Sequence, residues 1–330
     1  MSDGDLKAGR GERAYEIVCQ SDADRARWLK ARRSGIGASD MPAVMGASGW
    51  NAAIAIYGEK TGLVEPDEEQ DEAMFWGSRL ERTIADVYAE RSGRAMLWSG
   101  FLVRSVRYPW ALATLDFLTG DDSASWPGDA KNVSAYKANE WVDGPPPIYQ
   151  IQLQQQMLVT GHERATAACL IGGQRHVWCD VVRDEALIAR IVEAGEAFWE
   201  CVQTRTIPAV DGSASASRTL ARLYPSADAD KIVPIGVDFE ASFDELRRLK
   251  RTITIDEKRR AEIENAFKVA LGDAVRGTLP SGASVSWSNT AGGIDYKAAA
   301  LALGATPAVL ERFRRANTRT FRQHDPKEEG

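Results

Sequence analysis

The sequence predicts an α/β fold, with a central mixed sheet flanked by helices and a helical plus hairpin extension at the C-terminal end. Three observations carry this expectation. Up to about residue 206 the segments run helix, three strands, helix, two strands, helix, the order of one α/β domain. Residues 74–92 (MFWGSRLERTIADVYAERS) place Leu80, Ile84, Val87 and Tyr88 on one face at steps of three and four. Beyond residue 206 the composition shifts, with VDGSASASRTLARLYPSADAD (210–230) rich in Ser, Ala and Asp before a charged helical segment.

The elements follow in order. Residues 21–33 (SDADRARWLKARR) read as a helix capped by Ser21, with Asp24 as the capping-box acid. GIGASD follows, in which Ser39 or Asp40 starts a helix over 40–46, Ser39 being the favoured N-cap. Residues 51–61 suit a short helix stopped by Gly62, and EPDEEQDE (65–72) a solvated loop. Gly93 ends the 74–92 helix. Strands are expected at 96–105, 110–120 and 128–134, separated by YP and DDSASWPG. Residues 148–160 (IYQIQLQQQMLVT) read as a helix, 165–173 and 176–182 as a strand pair across GGQR, and 184–203 as a last helix. The domain is read as 1–206, a linker with one short helix as 207–240, and the extension as 241–330. Within the extension, a helical segment over 242–272 is expected to break at TITID (252–256), and LPSGASVSWSN (279–289) to form a hairpin.

Composition excludes several classes of chemistry. Four cysteines (Cys19, Cys169, Cys179, Cys201) show no CxxC spacing, and three histidines are too scattered for a zinc site. Metal chemistry would therefore rest on carboxylates and point to Mg²⁺ or Mn²⁺. The net charge of −6 rules out a globally basic DNA-coating protein. Residues 240–330 carry 16 Lys/Arg against 13 Asp/Glu, so a local basic groove is compatible with it. No apolar run approaches the roughly 20 residues of a membrane span. The N-terminus lacks the apolar segment of a secretory signal, so the cytoplasm is the expected location.

A candidate site then emerges from the spacing. Asp129 and Lys131 lie two apart on an expected strand, which points both side chains to one face. Alone they would read as a surface ion pair of little consequence. Asp116 precedes Asp129 by 13 residues, room for two antiparallel strands and a turn, and Glu81 lies on the amphipathic helix. Three carboxylates brought to one sheet edge would repel one another unless a divalent cation joined them. A lysine beside such ions suits hydrolysis of a phosphodiester. Gln152 and Gln156 share a helical face that Gln154 does not, so Gln154 reads as a structural hydrogen-bonding residue.

Five blocks in order resemble the lambda exonuclease / YqaJ-type viral recombinase family of the PD-(D/E)xK nuclease superfamily. They are RSGIGASDMPAVMG (33–46), WGSRLERTIADVYAERSG (76–93), ALATLDFLTGDD (111–122), GDAKNVSAYKANEW (128–141) and QIQLQQQMLVTGHERATAACLIGG (150–173). The sequence departs from the family in carrying Asp129 where Glu is usual, Leu115 where Pro is common, and Gln156 where Tyr is frequent.

The resemblance implies a restriction-endonuclease-like α+β domain. It implies that Asp116, Asp129 and the Ala130 carbonyl bind a first Mg²⁺ (or Mn²⁺), with Glu81 at a second. Lys131 would handle the attacking water, Gln152 would orient Lys131 or a phosphate, and Arg32, Ser39 and Thr114 would hold a terminal 5′-phosphate. The implied activity is 5′→3′ exonucleolysis of double-stranded DNA ends in phage-type recombination. It would leave 3′ overhangs, release 5′-mononucleotides and work beside a single-strand annealing protein, and a homotrimeric ring is among the arrangements it allows. The competing expectations are a related endonuclease and an inert DNA-end-binding scaffold. An end-processing nuclease with an iron–sulfur cluster lacks its cysteine set here.

Overall fold

The computed structural model describes residues 14–20, 25–65, 72–121 and 124–314, together with 319 and 321. The proposed caps Ser21 and Asp24, most of the acidic stretch 65–72, and Arg315 and Arg322 lie outside the described residues. The chain forms two compact units, Met1–Pro225 and Ser226–Gly330.

The first unit is built on a seven-stranded sheet. Its strands are β1 (Tyr15–Gln20), β2 (Ile36–Gly37), β3 (Ala95–Ser105), β4 (Ala111–Gly120), β5 (Ser125–Val133), β6 (Arg164–Ile171) and β7 (Arg175–Val182). The order is β1-β3-β4-β5-β6-β7, with β2 added in parallel against the start of β4. β5 and β6 are also parallel and the other pairs antiparallel, so the sheet is mixed. The crossover from β5 to β6 carries a 3₁₀ helix (Ala135–Trp141) and α5 (Pro147–Thr160), as a parallel connection requires.

Other helices precede and follow the strands: α1 (Arg25–Arg32), α2 (Met41–Val44), α3 (Ala53–Thr61), α4 (Glu72–Ser92), α6 (Glu185–Thr204) and α7 (Ala214–Leu223). Gly62 and Gly93, both at positive φ, end α3 and α4. α4 buries Ile84, Ala85 and Tyr88 against Phe117, Ala130 and Ala168 of the sheet. α5 is buried over its last ten residues, and Leu158 and Val159 join the main core with Ile36, Met41, Ala113, Ile191 and Phe198. The stretch read as linker contributes α7 to the first unit, where Ala216, Leu220 and Leu223 pack with Ala52 and Ile54.

The β4–β5 ladder runs from Gly120↔Ser125 to Phe117↔Gly128 and stops there. Beyond that point the two strands part, and Asp116 and Asp129 stand in the fork. Gly128 makes the last rung possible, because a Cβ there would lie 2.0 Å from the Phe117 ring. Gly128→Ala should therefore cost about 1–3 kcal/mol by overpacking. Urea denaturation checks this, and an unchanged midpoint would show that the Phe117 ring yields freely.

The second unit is dominated by α8 (Phe239–Leu271), which runs unbroken for 33 residues. The break expected at TITID does not occur. The β-branched residues lower helix propensity only by tenths of a kcal/mol each. On either side, ion pairs such as Arg248–Glu245 and Arg259–Glu262 at (i,i−3) and (i,i+3) support the helix. β8 (Arg276–Thr278) and β9 (Ser284–Ser286) form the hairpin, turning at Gly282 with φ +84°. Two short helices follow, α9 (Tyr296–Ala302) and α10 (Pro307–Glu311).

Candidate active site

The fork between β4 and β5 holds the group read from the sequence. Asp129 and Lys131 do point to one face: Nζ of Lys131 lies 2.6 Å from Oδ2 of Asp129. The other oxygen, Oδ1, accepts from Nε2 of Gln152 at 2.7 Å and from Nε2 of Gln156 at 3.1 Å. Oδ2 of Asp116 accepts from the Ala130 amide at 2.9 Å, a side-chain bond that takes over where the ladder ends. Gln152 thus reaches Asp129, and the Lys131 ammonium instead lies 5.4 Å above the Tyr149 ring.

Electrostatics here are dominated by burial and by like charge. Asp116 is pushed well above the usual carboxylate range, first by desolvation and then by Asp129, with Glu81 of α4 adding to it. The Lys131 pKa is raised as well, which for an amine means the charge is kept. Burial opposes its charge, but Asp129 and Asp116 outweigh that and hold the ammonium firmly protonated.

Among the described residues no three His, Cys, Asp or Glu converge tightly enough to hold a metal as they stand. Both Asp129 oxygens are engaged here, Oδ2 by Lys131 and Oδ1 by the two glutamine amides. The donor chemistry nonetheless fits a hard divalent cation. Glu81, Asp116, Asp129 and the Ala130 carbonyl offer oxygen only, and the mutual repulsion that lifts Asp116 is what a cation relieves.

α5 supplies the framework. Gln155, fully buried, donates to the Ile36 carbonyl at 2.7 Å and to the Leu112 carbonyl at 3.0 Å, tying β2 to β4. Gln154 faces away and bonds the Val182 carbonyl and the Asp184 amide, a structural role as its phase indicated. Buried amides that find partners in this way fix position without adding charge.

Arg32 and Ser39 are brought together, with Nη2 of Arg32 3.4 Å from the Ser39 hydroxyl. Thr114 belongs instead to the Asp129 group, its carbonyl 3.5 Å from Nε2 of Gln156. Of the two residues read as starting this helix, Asp40 and not the favoured Ser39 occupies the N-cap position of α2, and it makes no side-chain cap bond. Pro at the first turn removes one amide a cap would serve, and two cations compete for the Asp40 carboxylate. Its Oδ1 meets Arg32 at 2.5 Å, and its Oδ2 meets Nζ of Lys60 at 2.7 Å and the Gly37 amide at 3.1 Å.

This buried triad was not legible in the sequence, since nothing links Lys60 to a residue 20 positions away. Burial would raise the Asp40 pKa, yet Arg32 and Lys60 together drive it far below the carboxylate range. Lys60 is pulled down, because burial and the neighbouring Arg32 outweigh its share of the one anion. Arg32, one quarter exposed, stacks 5.1 Å from the Trp28 ring.

Residues 27–163 match the family model described as the YqaJ-like viral recombinase domain. The protein YqaJ of Bacillus subtilis (strain 168), described as uncharacterized, is 32% identical over 272 residues, which is 81% of this chain and 85% of that protein. Solved structures with a similar fold include LHK-Exo in complex with dAMP (23% identity, TM-score 0.47, 55% of this chain and 94% of that one). The alkaline exonuclease LHK-Exo from Laribacter hongkongensis gives 21% identity and a TM-score of 0.45, over 60% of this chain and all of that one. A phage-related exonuclease from Haemophilus somnus 129PT gives 14% and 0.41, over 54% and 97%.

Proposed function

The chain belongs to the YqaJ-like viral recombinase family, a nuclease family, and from that premise we propose a divalent-cation-dependent 5′→3′ exonuclease acting on double-stranded DNA ends. The observation that supports it most is the Asp116–Asp129–Lys131 group, Asp129 buried and the other two half-buried, clamped by two glutamine amides in the fork of two strands. In this reading residues 1–206 form the nuclease domain. Asp116, Asp129 and the Ala130 carbonyl would hold one Mg²⁺ or Mn²⁺, and Glu81 a second. The bound cation supplies Lewis acidity toward the scissile phosphate.

The side chains do the rest. Gln152 and Gln156 keep Asp129 fixed while Lys131 lets go of it. The lysine, held protonated, then meets charge that develops on the phosphate or orients the attacking water. Arg32 and Ser39 receive the 5′-terminal phosphate, a fork and a hydroxyl being suited to it, with Thr114 nearer the scissile group. Products would be 5′-mononucleotides and a 3′ overhang for a single-strand annealing protein. A homotrimeric ring would suit processive digestion, and the cytoplasm is the expected place of action. Among the described residues no helix is long and apolar enough to cross a membrane.

The decisive experiment is digestion of end-labelled linear duplex with Mg²⁺, comparing a 5′-phosphate with a 5′-hydroxyl. Wild type should prefer the phosphorylated end, and Arg32→Ala should lower activity on that end by about 10–100-fold while erasing most of the preference. Label released from the 3′ end first would overturn the polarity. Cutting of closed circular DNA would favour an endonuclease, and calorimetry showing no cation binding would favour an inert scaffold.

A further inference from the structure

α8 is the longest helix of the described residues and buries none of them. Most helices of that length owe their stability to an apolar face packed on something. Such a face exists here. Leu246, Leu249, Ile253, Asp256, Arg260, Ile263, Phe267 and Ala270 follow one another at alternating steps of three and four, the seam of a coiled coil. Leu249, Ile253 and Ile263 on this seam are 43%, 55% and 46% exposed. An open groove of about 400 Å³ runs along Ile263, Ala266, Phe267 and Ala270.

We propose that the α8 seam pairs with the same seam of a second copy in an antiparallel, two-fold coiled coil centred on residue 258. The sequence of the seam is what selects this occupant. Reflected about residue 258, Leu246 faces Ala270, Leu249 faces Phe267, Ile253 faces Ile263, and Asp256 faces Arg260. Each layer joins an a position to a d position, as antiparallel helices require. The apolar layers are Leu–Ala, Leu–Phe and Ile–Ile, and the only two charges on the seam have opposite sign and meet each other twice. A polar pair at the centre of an apolar seam fixes register and orientation. In a parallel pair, Asp256 would meet Asp256 and Arg260 would meet Arg260. An isologous contact of this kind closes on itself and needs only one surface. The rims contribute less: Glu257 and Arg259 each approach their own counterparts near the axis, where solvent screens them. Arg260, which pairs loosely with Glu264 at 3.5 Å, would exchange an exposed partner for a seam partner.

The test is the mass of the full-length chain by sedimentation, followed over a concentration series. Asp256→Arg and Arg260→Asp should each halve the mass of the assembly, while circular dichroism still shows a folded chain that loses at most the helicity of α8. An equimolar mixture of these two variants should restore it, since each charge of one then meets its opposite on the other. Orientation is read separately by oxidative cross-linking, with the parent chain treated alike to account for its four cysteines. Ile253→Cys mixed with Ile263→Cys should give a heterodimeric product that neither gives alone. A wild-type mass equal to one chain, or to three, at all concentrations would overturn the proposal, since the two-fold seam pairs chains and would join two trimeric rings into an assembly of six. So would an assembly indifferent to both charge reversals, or cross-linking of Ile253→Cys to itself. Because the readouts are mass and cross-linking, they stand or fall independently of the nuclease reading.

Discussion

Asp116→Ala and Lys131→Ala should each lower divalent-cation-dependent digestion of linear duplex by about 10²–10³-fold or more, for different reasons. Asp116 stands in the fork, with its Oδ2 held by the Ala130 amide and its neighbours Asp129 and Glu81 repelling it. In the proposed reading its removal takes away a ligand, so calorimetric binding of Mn²⁺ should weaken along with activity. Lys131 is the opposite case. It occupies Oδ2 of Asp129, and it is the cation that balances Asp129 and Asp116. Without it, two buried carboxylates are left facing each other, which favours a divalent cation. Lys131→Met should therefore bind Mn²⁺ at least as tightly as wild type while losing activity. Digestion at the wild-type rate by either variant would remove the active-site assignment. Loss of cation binding in Lys131→Met would show that the lysine acts on folding of the fork rather than on the chemistry.

Asp40→Asn should destabilise the protein by about 3–5 kcal/mol, the largest stability effect expected of any single change here. The substitution leaves the Lys60 ammonium, 2% exposed, and the part-buried Arg32 guanidinium facing a neutral group. The pH dependence has a definite sign. Burial raises the Asp40 pKa but Arg32 and Lys60 drive it well below its unfolded value. Its contribution is then complete above about pH 4 and is lost as the pH falls toward the folded value. Urea unfolding at a series of pH values should show a wide gap between wild type and Asp40→Asn near neutrality, narrowing as acid is added. A gap that stays constant down to strongly acid pH would mean that the carboxylate charge is not what stabilises this loop.

Much of the fold was legible because its signals are local. α4 declared itself by apolar residues at steps of three and four, and β3, β4, β6 and β7 by runs bounded by turn residues, whereas β5 begins at Ser125 within the stretch read as a turn. The shared face of Asp129 and Lys131 follows from strand alternation alone. The differing partners of Gln152 and Gln156 on one side, and Gln154 on the other, follow from helix phase.

What stayed hidden depends on distant residues. β1 pairs at the sheet edge with a bulge between Ile17 and Cys19, so its burial does not alternate. Ser39 has the chemistry of a cap, but Lys60 and Arg32 decide what its neighbour Asp40 does. Gln155 holds β2 to β4 through two main-chain carbonyls, and no side chain in the sequence announces a carbonyl. TITID has the composition of a strand and yet lies within a helix, because charged flanks on either side carry the helix through it.

The fork between β4 and β5 also bears on the one methylene by which Asp129 is shorter than the glutamate usual at that position. Along a closed ladder, the distance between facing strands is set by the backbone and leaves no slack for a shorter side chain. Where the ladder has ended, the gap is spanned by arms instead: Asp129 from one strand and the longer glutamines of α5 from behind it. Reach given up by one arm can be made up by another. A cluster of side chains placed at such an opening is an adjustable joint, free to trade Asp for Glu without redrawing the sheet that carries it.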